Sequence, residues 1–166
     1  MAPGQKLEVN GNIRVGAANY VGFGGVNTYI GGNNDGKLYL GTSGVVKIII
    51  DMVGNVGIGT ASPTSTLHNA GSIAMPITTK TADYTAGSSD YTILVSCSSA
   101  DITITLPAVA SYVGRIYNIK KIDATGYKVI VDGNGTETID GALTQTISTQ
   151  YETLTIQNDG SSWYII

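Results

Sequence analysis

The residues of this chain that could take part in chemistry are few and lie far apart. His68 is the only histidine and Cys97 the only cysteine, so a nucleophile–histidine relay would have to use His68. No carboxylates cluster beside it in the sequence. We expect His68 to be a surface or interchain polar residue, with a metal held by three copies of it as the alternative. Cys97 is expected to be a small buried apolar residue rather than a reactive thiol.

The segment GNVGIG at 54–59 looks like a phosphate-binding glycine loop only at first sight. Its glycines are not spaced as G-x-G-x-x-G, and Ser62 and Pro63 continue a turn where such a loop would open a helix. We expect these glycines to allow positive φ angles and close approach of neighbouring chains. The segment is therefore predicted to be structural, and no cofactor is expected.

A second candidate is the acidic segment DGNGTETIDG at 132–141. Its glycine and its distal glutamate do not fall where the calcium-loop pattern D-x-[DN]-x-[DN]-G-x₅-E requires them. Asp-Gly and Asn-Gly are first of all hairpin-turn residues, so a turn is predicted here, with an occasional hard cation as the alternative. The side chains that would hold a cation are Asp132, Asn134, Thr136, Glu137 and Asp140.

The chain has 12 carboxylates, enough to supply the pair that a glycosidase needs. Most of them stand in turn-forming strings, and nothing in the sequence singles out two. We therefore predict a protein that is not an enzyme and has no catalytic residues. A polysaccharide depolymerase is the alternative.

Aromatic residues offer another kind of site, because tyrosine and tryptophan combine a flat apolar face with a polar tip. Such faces suit sugar rings as well as protein interfaces. Trp163 is expected in the core, and no single tyrosine is assigned to a ligand. The tyrosines that fall near predicted turns are Tyr84, Tyr91, Tyr112, Tyr127 and Tyr151.

The charge pattern excludes two classes of partner. Charged residues make up 13% of the chain, the net charge is −3, and the basic residues are scattered apart from Lys120 and Lys121. A nucleic-acid surface needs clustered cations, so no nucleic acid is expected. The most apolar run, VVKIIIDMV, is interrupted by Lys47 and Asp51 and is far shorter than the ~20 residues of a membrane span. No membrane insertion is expected, and the segment MAPGQKLEVN does not have the apolar core of a signal peptide.

Glycine divides the chain into two parts. Of the 22 glycines, 15 precede residue 76, where they separate very short β-prone pieces such as KLYLG and NVGIG. Strands this short cannot build a core of their own against the entropy of ordering so much glycine. For residues 1–75 we therefore predict a glycine-rich β shaft in which several identical chains intertwine around a shared core. A loosely ordered linker is the alternative.

Residues 76–166 show longer strands with clean alternation. In DITITL the residues Ile102, Ile104 and Leu106 share one face and the threonines the other. About eight such strands, separated by turns such as DATG and DGNG, predict an antiparallel β-sandwich head, plausibly of the jelly-roll type. The stretch PAVASYVG at 107–114 is expected to form one helical turn.

A repeat links the two ends of the first part. LEVNGNI at 7–13 and LHNAGSI at 67–73 place leucine, glycine and isoleucine identically, which suggests units of a longer array. GNVGIGTASP followed by this unit resembles the shaft repeats of bacteriophage tail fibres. The C-terminal landmarks TLPA, GRIYNIKKI, DGNGTETIDG, QYE and DGSSWYII are similar to a terminal module of such fibres.

The resemblance implies a receptor-binding virion protein. Tail fibres of this kind are homotrimers with a β-helix-like shaft, and they carry host recognition at the distal end. The expected partners are other copies of the chain, other virion tail proteins and a glycan or receptor on the host cell surface. The expected location is the virion, outside the cell. A purely structural fibre spacer is a further alternative.

Overall fold

The computed structural model describes residues 20–22, 28–32 and 35–166. The chain divides into two compact units, Met1–Ile73 and Ala74–Ile166, and each is described by itself. The described residues form strands and no α-helix, so the all-β prediction is confirmed. The one helical turn that PAVASYVG predicts is a 3-10 turn at Val109–Ser111. The first copy of the repeat, at 7–13, lies outside the described residues.

The first unit contains one six-stranded sheet, whose strands are neighbours in chain order. All neighbours pair antiparallel except the last two, which are parallel. The strands are β1 (Tyr20–Gly22), β2 (Tyr29–Gly31), β3 (Leu38–Thr42), β4 (Val45–Ile50), β5 (Val56–Ile58) and β6 (Leu67–Asn69).

The segment GNVGIG supplies β5 and the turns that flank it. Gly54 and Gly59 have φ angles of 93° and 71°, a region that favours glycine over other residues. A Cβ on Gly57 would lie 2.6 Å from the carbonyl oxygen of Thr60. The expected positive φ is therefore confirmed at Gly54 and Gly59. The close approach at Gly57 is to backbone of the same chain, and the expected approach of neighbouring chains stays a prediction.

The register of the sheet gathers aliphatic side chains on one side, because residues paired across neighbouring strands share a face. One row crosses five strands and a second row crosses four. We call the side formed by both rows the aliphatic face. The first row is Val21, Ile30, Leu40, Ile48 and Ile58, and the second is Leu38, Ile50, Val56 and Leu67.

The opposite side of the sheet pairs large side chains with glycines. Tyr29 stands opposite Gly41 and its ring occupies the space that a Cβ there would need. Ile49 stands opposite Gly57 in the same way, and its Cγ2 would lie 2.8 Å from a Cβ on that glycine. Tyr39 and Ile49 are the buried hydrophobic residues of this unit among those described. We call this side the tyrosine–glycine face. Its large side chains occupy the space above the glycines of the neighbouring strands.

The second unit contains two sheets that share one core. The five-stranded sheet has the order β15-β14-β11-β9-β7 and the four-stranded sheet the order β13-β12-β10-β8. The strands are β7 (Ile77–Lys80), β8 (Tyr84–Thr85), β9 (Thr92–Val95), β10 (Ile102–Thr105), β11 (Ile116–Lys121), β12 (Val129–Asp132), β13 (Thr144–Ile147), β14 (Thr153–Asn158) and β15 (Trp163–Ile165).

From β7 to β12 the chain passes back and forth between the two sheets. Each coil consists of one strand from each sheet, and the strands of successive coils pair parallel. After β12 the chain reverses, and β13, β14 and β15 add antiparallel strands to the same edge of the stack. The result is three coils closed at one end by antiparallel strands.

The prediction of an antiparallel, jelly-roll-like sandwich is therefore wrong in its strand pairing. Parallel neighbours need a crossover connection, and here the strand of the opposite sheet supplies it. The side-chain alternation on which the prediction rested is the same in both kinds of pairing, so it cannot separate them. The two-sheet core itself follows the predicted alternation, since Ile102, Ile104 and Leu106 are all buried.

Two single residues also lie where the sequence predicts them. Trp163 is fully buried beside Tyr117, with their ring centroids 5.7 Å apart. Cys97 is fully buried, and its thiol donates to the carbonyl oxygen of Lys128 over 3.4 Å. Burial raises the pKa of this thiol, which keeps it protonated and unreactive near neutral pH.

The close fit of Tyr29 over Gly41 predicts a specific loss of stability in the first unit. Gly41→Ala places a methyl group inside the space of the ring, and such overpacking typically costs about 1–3 kcal/mol. We expect a lower midpoint in denaturant unfolding. The control is Gly71→Ala, because the nearest atom to that Cβ is 3.9 Å away. Equal midpoints for both variants would contradict the role given to Tyr29.

Candidate functional site

The aliphatic face of the first unit is an extended apolar surface that the described residues do not cover. Its exposed members range from Ile58 at 40% to Leu67 at 63%, and the others are half-buried. A depression of about 360 Å³ lies on it, with Ile30, Leu40 and Ile48 among its lining residues. Soluble monomers rarely expose an apolar surface that crosses a whole sheet, so this face is the first candidate for an interaction surface.

His68 lies in β6 and is paired with Gly57, which puts it on the tyrosine–glycine face and not on the aliphatic face. Its Nδ1 accepts a hydrogen bond from the Thr64 backbone N–H at 3.2 Å. The residues that the structure describes contain no group of three or more potential metal ligands within one chain. Within its own chain, His68 is a half-buried residue that fixes the preceding loop through this hydrogen bond.

The acidic segment at 132–141 forms a turn, as its Asp-Gly and Asn-Gly pairs predict, and its side chains support neighbouring backbone. Glu137 accepts the Val109 N–H at 3.0 Å, and Asp140 accepts the Ile165 N–H at 3.3 Å. Asn134 donates weakly to the Leu106 carbonyl at 3.5 Å. These side chains point at different elements rather than at a common centre, which does not favour a cation site.

The same segment also seals an edge of the five-stranded sheet. The backbone N–H of Trp163 donates to the Thr138 carbonyl, and the backbone N–H of Asp140 donates to the Trp163 carbonyl, both at 3.0 Å. Open strand edges invite pairing with other chains. Here the acidic segment at 132–141 covers the edge strand β15, so its role is to close the sheet.

Three aspartates in the turns from one sheet to the other hold successive coils together. Asp83 accepts the Thr103 N–H at 2.7 Å, and Asp101 accepts the Lys128 N–H at 2.8 Å. Asp123 accepts the Cys97 N–H at 2.6 Å. In each case the donor lies in a different coil, so this aspartate ladder fixes one coil against the next.

Asp123 is also the partner of a fully buried lysine. The Lys121 ammonium and the Asp123 carboxylate form an ion pair at 2.5 Å, with side-chain exposures of 0% and 12%. Burial works against the charge of Asp123. The hydrogen bonds from Lys121, Thr125 and the Cys97 N–H outweigh it and hold the pKa of this carboxyl well below its usual range. The Asp123 carboxyl is therefore ionised near neutral pH.

The tyrosines near turns fall into two groups. Tyr84 is taken up by the fold, since its hydroxyl donates to Asp90 at 2.9 Å and the Lys80 ammonium lies 3.5 Å from its ring centroid. Tyr91 and Tyr112 are half-buried. Tyr127 and Tyr151 are exposed, at 43% and 63%, but neither lines a described groove.

A groove of about 280 Å³ lies beside the last strand, where sequence reasoning singled out no residue. Its lining residues are Gln157, Asn158, Asp159, Tyr164 and Ile166. Tyr164 is 44% exposed and stands opposite Gln157 on the outer side of the five-stranded sheet. The exposure of Tyr164 could have been predicted from SSWYII, because successive side chains of a strand point to opposite faces and Trp163 is expected in the core.

The rim of this groove is held rigidly. Asp159 Oδ1 accepts the N–H groups of Ser161 and Ser162 at 2.8 and 3.0 Å. Hydrogen bonds from the Ser161 hydroxyl and these N–H groups lower the pKa of Asp159 to about 2. Gln157 Nε2 donates to the Gly114 carbonyl at 3.2 Å. A carboxylate, a side-chain amide and an aromatic ring thus surround one groove in fixed positions.

Acid unfolding of the second unit tests the role of Asp123. Its pKa is lower in the folded than in the unfolded state, where it is about 3.9. The stabilisation is thus complete above that pH and is lost as the pH falls below it. Asp123→Asn leaves Lys121 buried without a counter-charge, and we expect a loss of about 3 kcal/mol at neutral pH with a flatter acid profile.

Asp101→Asn is the matched comparison for that variant, because Asp101 is an exposed carboxylate of the same ladder that accepts one backbone N–H. Its cost should be clearly smaller. Urea unfolding measured from neutral pH down to acid pH gives both quantities. Similar losses for the two variants would show that the ion pair adds nothing to the ladder.

No described helix is long and apolar enough to cross a membrane. No protein-family model and no curated protein matches the chain. The resemblance to tail fibres therefore rests on the residues and landmarks of the sequence, and the function has to be argued from the surfaces described above.

Proposed function

We propose that this protein is part of a homotrimeric bacteriophage tail fibre that attaches the virion to its host cell. The first unit is the shaft, in which three chains intertwine around a shared core. The second unit is the head that meets the host surface. The working location is the virion, outside the cell, and other virion tail proteins hold the fibre in place.

The observation that carries the proposal is the aliphatic face. Covering an apolar surface is worth roughly 25 cal/mol per Å² removed from water, and the described residues of the first unit form no second sheet that could cover this one. The occupant that fits best is another copy of the same face. Cyclic packing of three identical aliphatic faces would give the chains a shared core.

The opposite face explains which side would point outward. Tyr29 and Tyr39 already cover the glycines of neighbouring strands, so the tyrosine–glycine face gains little from a partner. His68 lies on that side too. In a trimer packed through the aliphatic faces, its three copies would lie away from the shared core, which favours the polar-residue interpretation over a metal on the axis.

Attachment would work through multivalency. Three identical heads on one shaft convert a weak affinity for one receptor into a strong overall attachment, provided that the host surface repeats its ligand. The head suits this task because its coils are fixed by the aspartate ladder and by a buried ion pair. A glycan or another repeated surface receptor is the expected partner.

Sedimentation of the purified chain tests the assembly. We expect a species of about three times 17.2 kDa. Ile58→Asp puts a charge on the aliphatic face, and burying that charge without a partner is strongly unfavourable. This variant should sediment as a single chain.

Val53→Asp is the matched control, because Val53 is 81% exposed and lies in the turn between β4 and β5 rather than on the aliphatic face. It should keep the trimer. A wild-type protein that sediments at 17.2 kDa with its first unit ordered would refute the shared core.

The attachment function has its own test. Host cells of candidate species should adsorb the trimer, and the protein should release no reducing ends from their surface polysaccharide. Release of reducing ends would establish the depolymerase instead. Failure to adsorb to any candidate cell would leave the fibre spacer.

A further inference from the structure

We infer that the groove beside β15 is a carbohydrate-binding site in which the Tyr164 ring stacks on a pyranose and Asp159 and Gln157 bind its hydroxyl groups. The inference rests on the proposed attachment function and specifies where on the second unit the ligand binds. It names one groove and one ligand class.

The first step is the aromatic ring. Tyr164 lies in β15 on the outer side of the five-stranded sheet, and it exposes 44% of its surface. Trp163 before it is buried in the core, which anchors the strand directly beneath the ring. A flat apolar ring that is fixed in place matches the C–H face of a sugar ring, while its hydroxyl can bond to the sugar's edge.

The second step is the carboxylate. Asp159 lines the groove. Its Oδ1 accepts hydrogen bonds from Ser161 and Ser162, whereas its Oδ2 takes part in none of the hydrogen bonds of the described residues. With its pKa lowered to about 2, Asp159 is an ionised acceptor at any physiological pH. Neutral hydroxyl groups donate well to such an acceptor, because hydrogen bonds to charged groups are the stronger kind.

The third step is the amide. Gln157 uses Nε2 to bind the Gly114 carbonyl, which leaves its Oε1 as an acceptor and fixes the side chain. The groove thus combines an aromatic platform with two acceptors. These two acceptors can accept hydrogen bonds from the hydroxyl groups of a sugar. They disfavour phosphate or carboxylate ligands, because such ligands are themselves negatively charged.

The fourth step is preorganisation. Asn158, between the two polar lining residues, is buried and joins its own turn to the loop at 112–114 through the Gly160 N–H, the Gly114 N–H and the Tyr112 carbonyl. A ligand would find Gln157 and Asp159 already in position, so little entropy is lost on binding. The site is open and shallow, as expected for weak single-site binding that depends on avidity.

The experiment uses the full chain in its assembled form. D-glucose, D-galactose, N-acetyl-D-glucosamine and L-rhamnose are titrated separately while amide chemical shifts are followed by NMR. At least one sugar should shift the amides of Gln157, Asp159 and Tyr164. Tyr164→Ala should weaken that sugar about tenfold or more, Tyr164→Phe should keep most of the affinity, and Asp159→Asn should weaken it.

Tyr151→Ala is the control, since Tyr151 is the most exposed described tyrosine and lies outside the groove. It should bind as the wild type does. Shifts centred on other residues, no shifts with any sugar, or equal binding by Tyr164→Ala would each overturn the inference.

Adsorption to host cells separates this inference from the proposed function. If the wild type adsorbs and Tyr164→Ala adsorbs equally well, the attachment function stands and the groove is not its site. If Tyr164→Ala alone loses adsorption, both stand. If the wild type does not adsorb, the attachment function fails whatever the sugars do in solution.

Discussion

The strongest constraint on this molecule is that a β-strand alternates its side chains between two faces, so register decides which surface has to be buried. In the first unit, register puts Ile30, Leu40 and Ile48 in one row. The same register places glycines beneath tyrosines on the other side. Among the described residues, one face is therefore filled by its own side chains and the other is left exposed, and the proposed assembly is based on that asymmetry.

The second unit buries its apolar faces within one chain. The chain passes from one sheet to the other, so the apolar face of each sheet is covered by the strands of the other. Carboxylates then hold this winding in place. Asp83, Asp101 and Asp123 each accept a backbone N–H from another coil, and other carboxylates cap turns in the same way. This use explains why a chain with 12 carboxylates has a single ion pair, between Lys121 and Asp123, in the part that the structure describes.

The sequence predicts those features that depend on local alternation and turn chemistry. The burial of Ile102, Ile104 and Trp163 follows from alternation, and the positive φ angles of Gly54 and Gly59 follow from turn chemistry. Strand direction is not local. Parallel and antiparallel pairs have the same period of two, and only the connections distinguish them, which is why the predicted antiparallel head was wrong.

The two candidate surfaces could not be predicted as wholes from the sequence, because each combines residues that are not local in the chain. The aliphatic face combines residues of six strands, and a shift of one residue in any pairing would turn part of it over; the irregularity between Leu40 and Gly41 shows that register is not even constant along β3. The groove at Tyr164 joins a strand and a turn. Its tyrosine could have been found from SSWYII, but the fixed Asp159 beside it depends on the fold of 158–162.

The low charge of the chain fits this division of roles. Only 13% of the residues are charged, roughly half the share of an average soluble domain, and a monomer of this size would gain solubility from more. A chain whose aliphatic face is covered by its own copies presents less apolar surface to water and needs fewer charges. In the proposed sugar groove, one carboxylate, one amide and one aromatic ring would meet a neutral ligand. Composition, exposed face and groove chemistry thus support the proposal of a protein that assembles through apolar surface and recognises its ligand through polar and aromatic contacts.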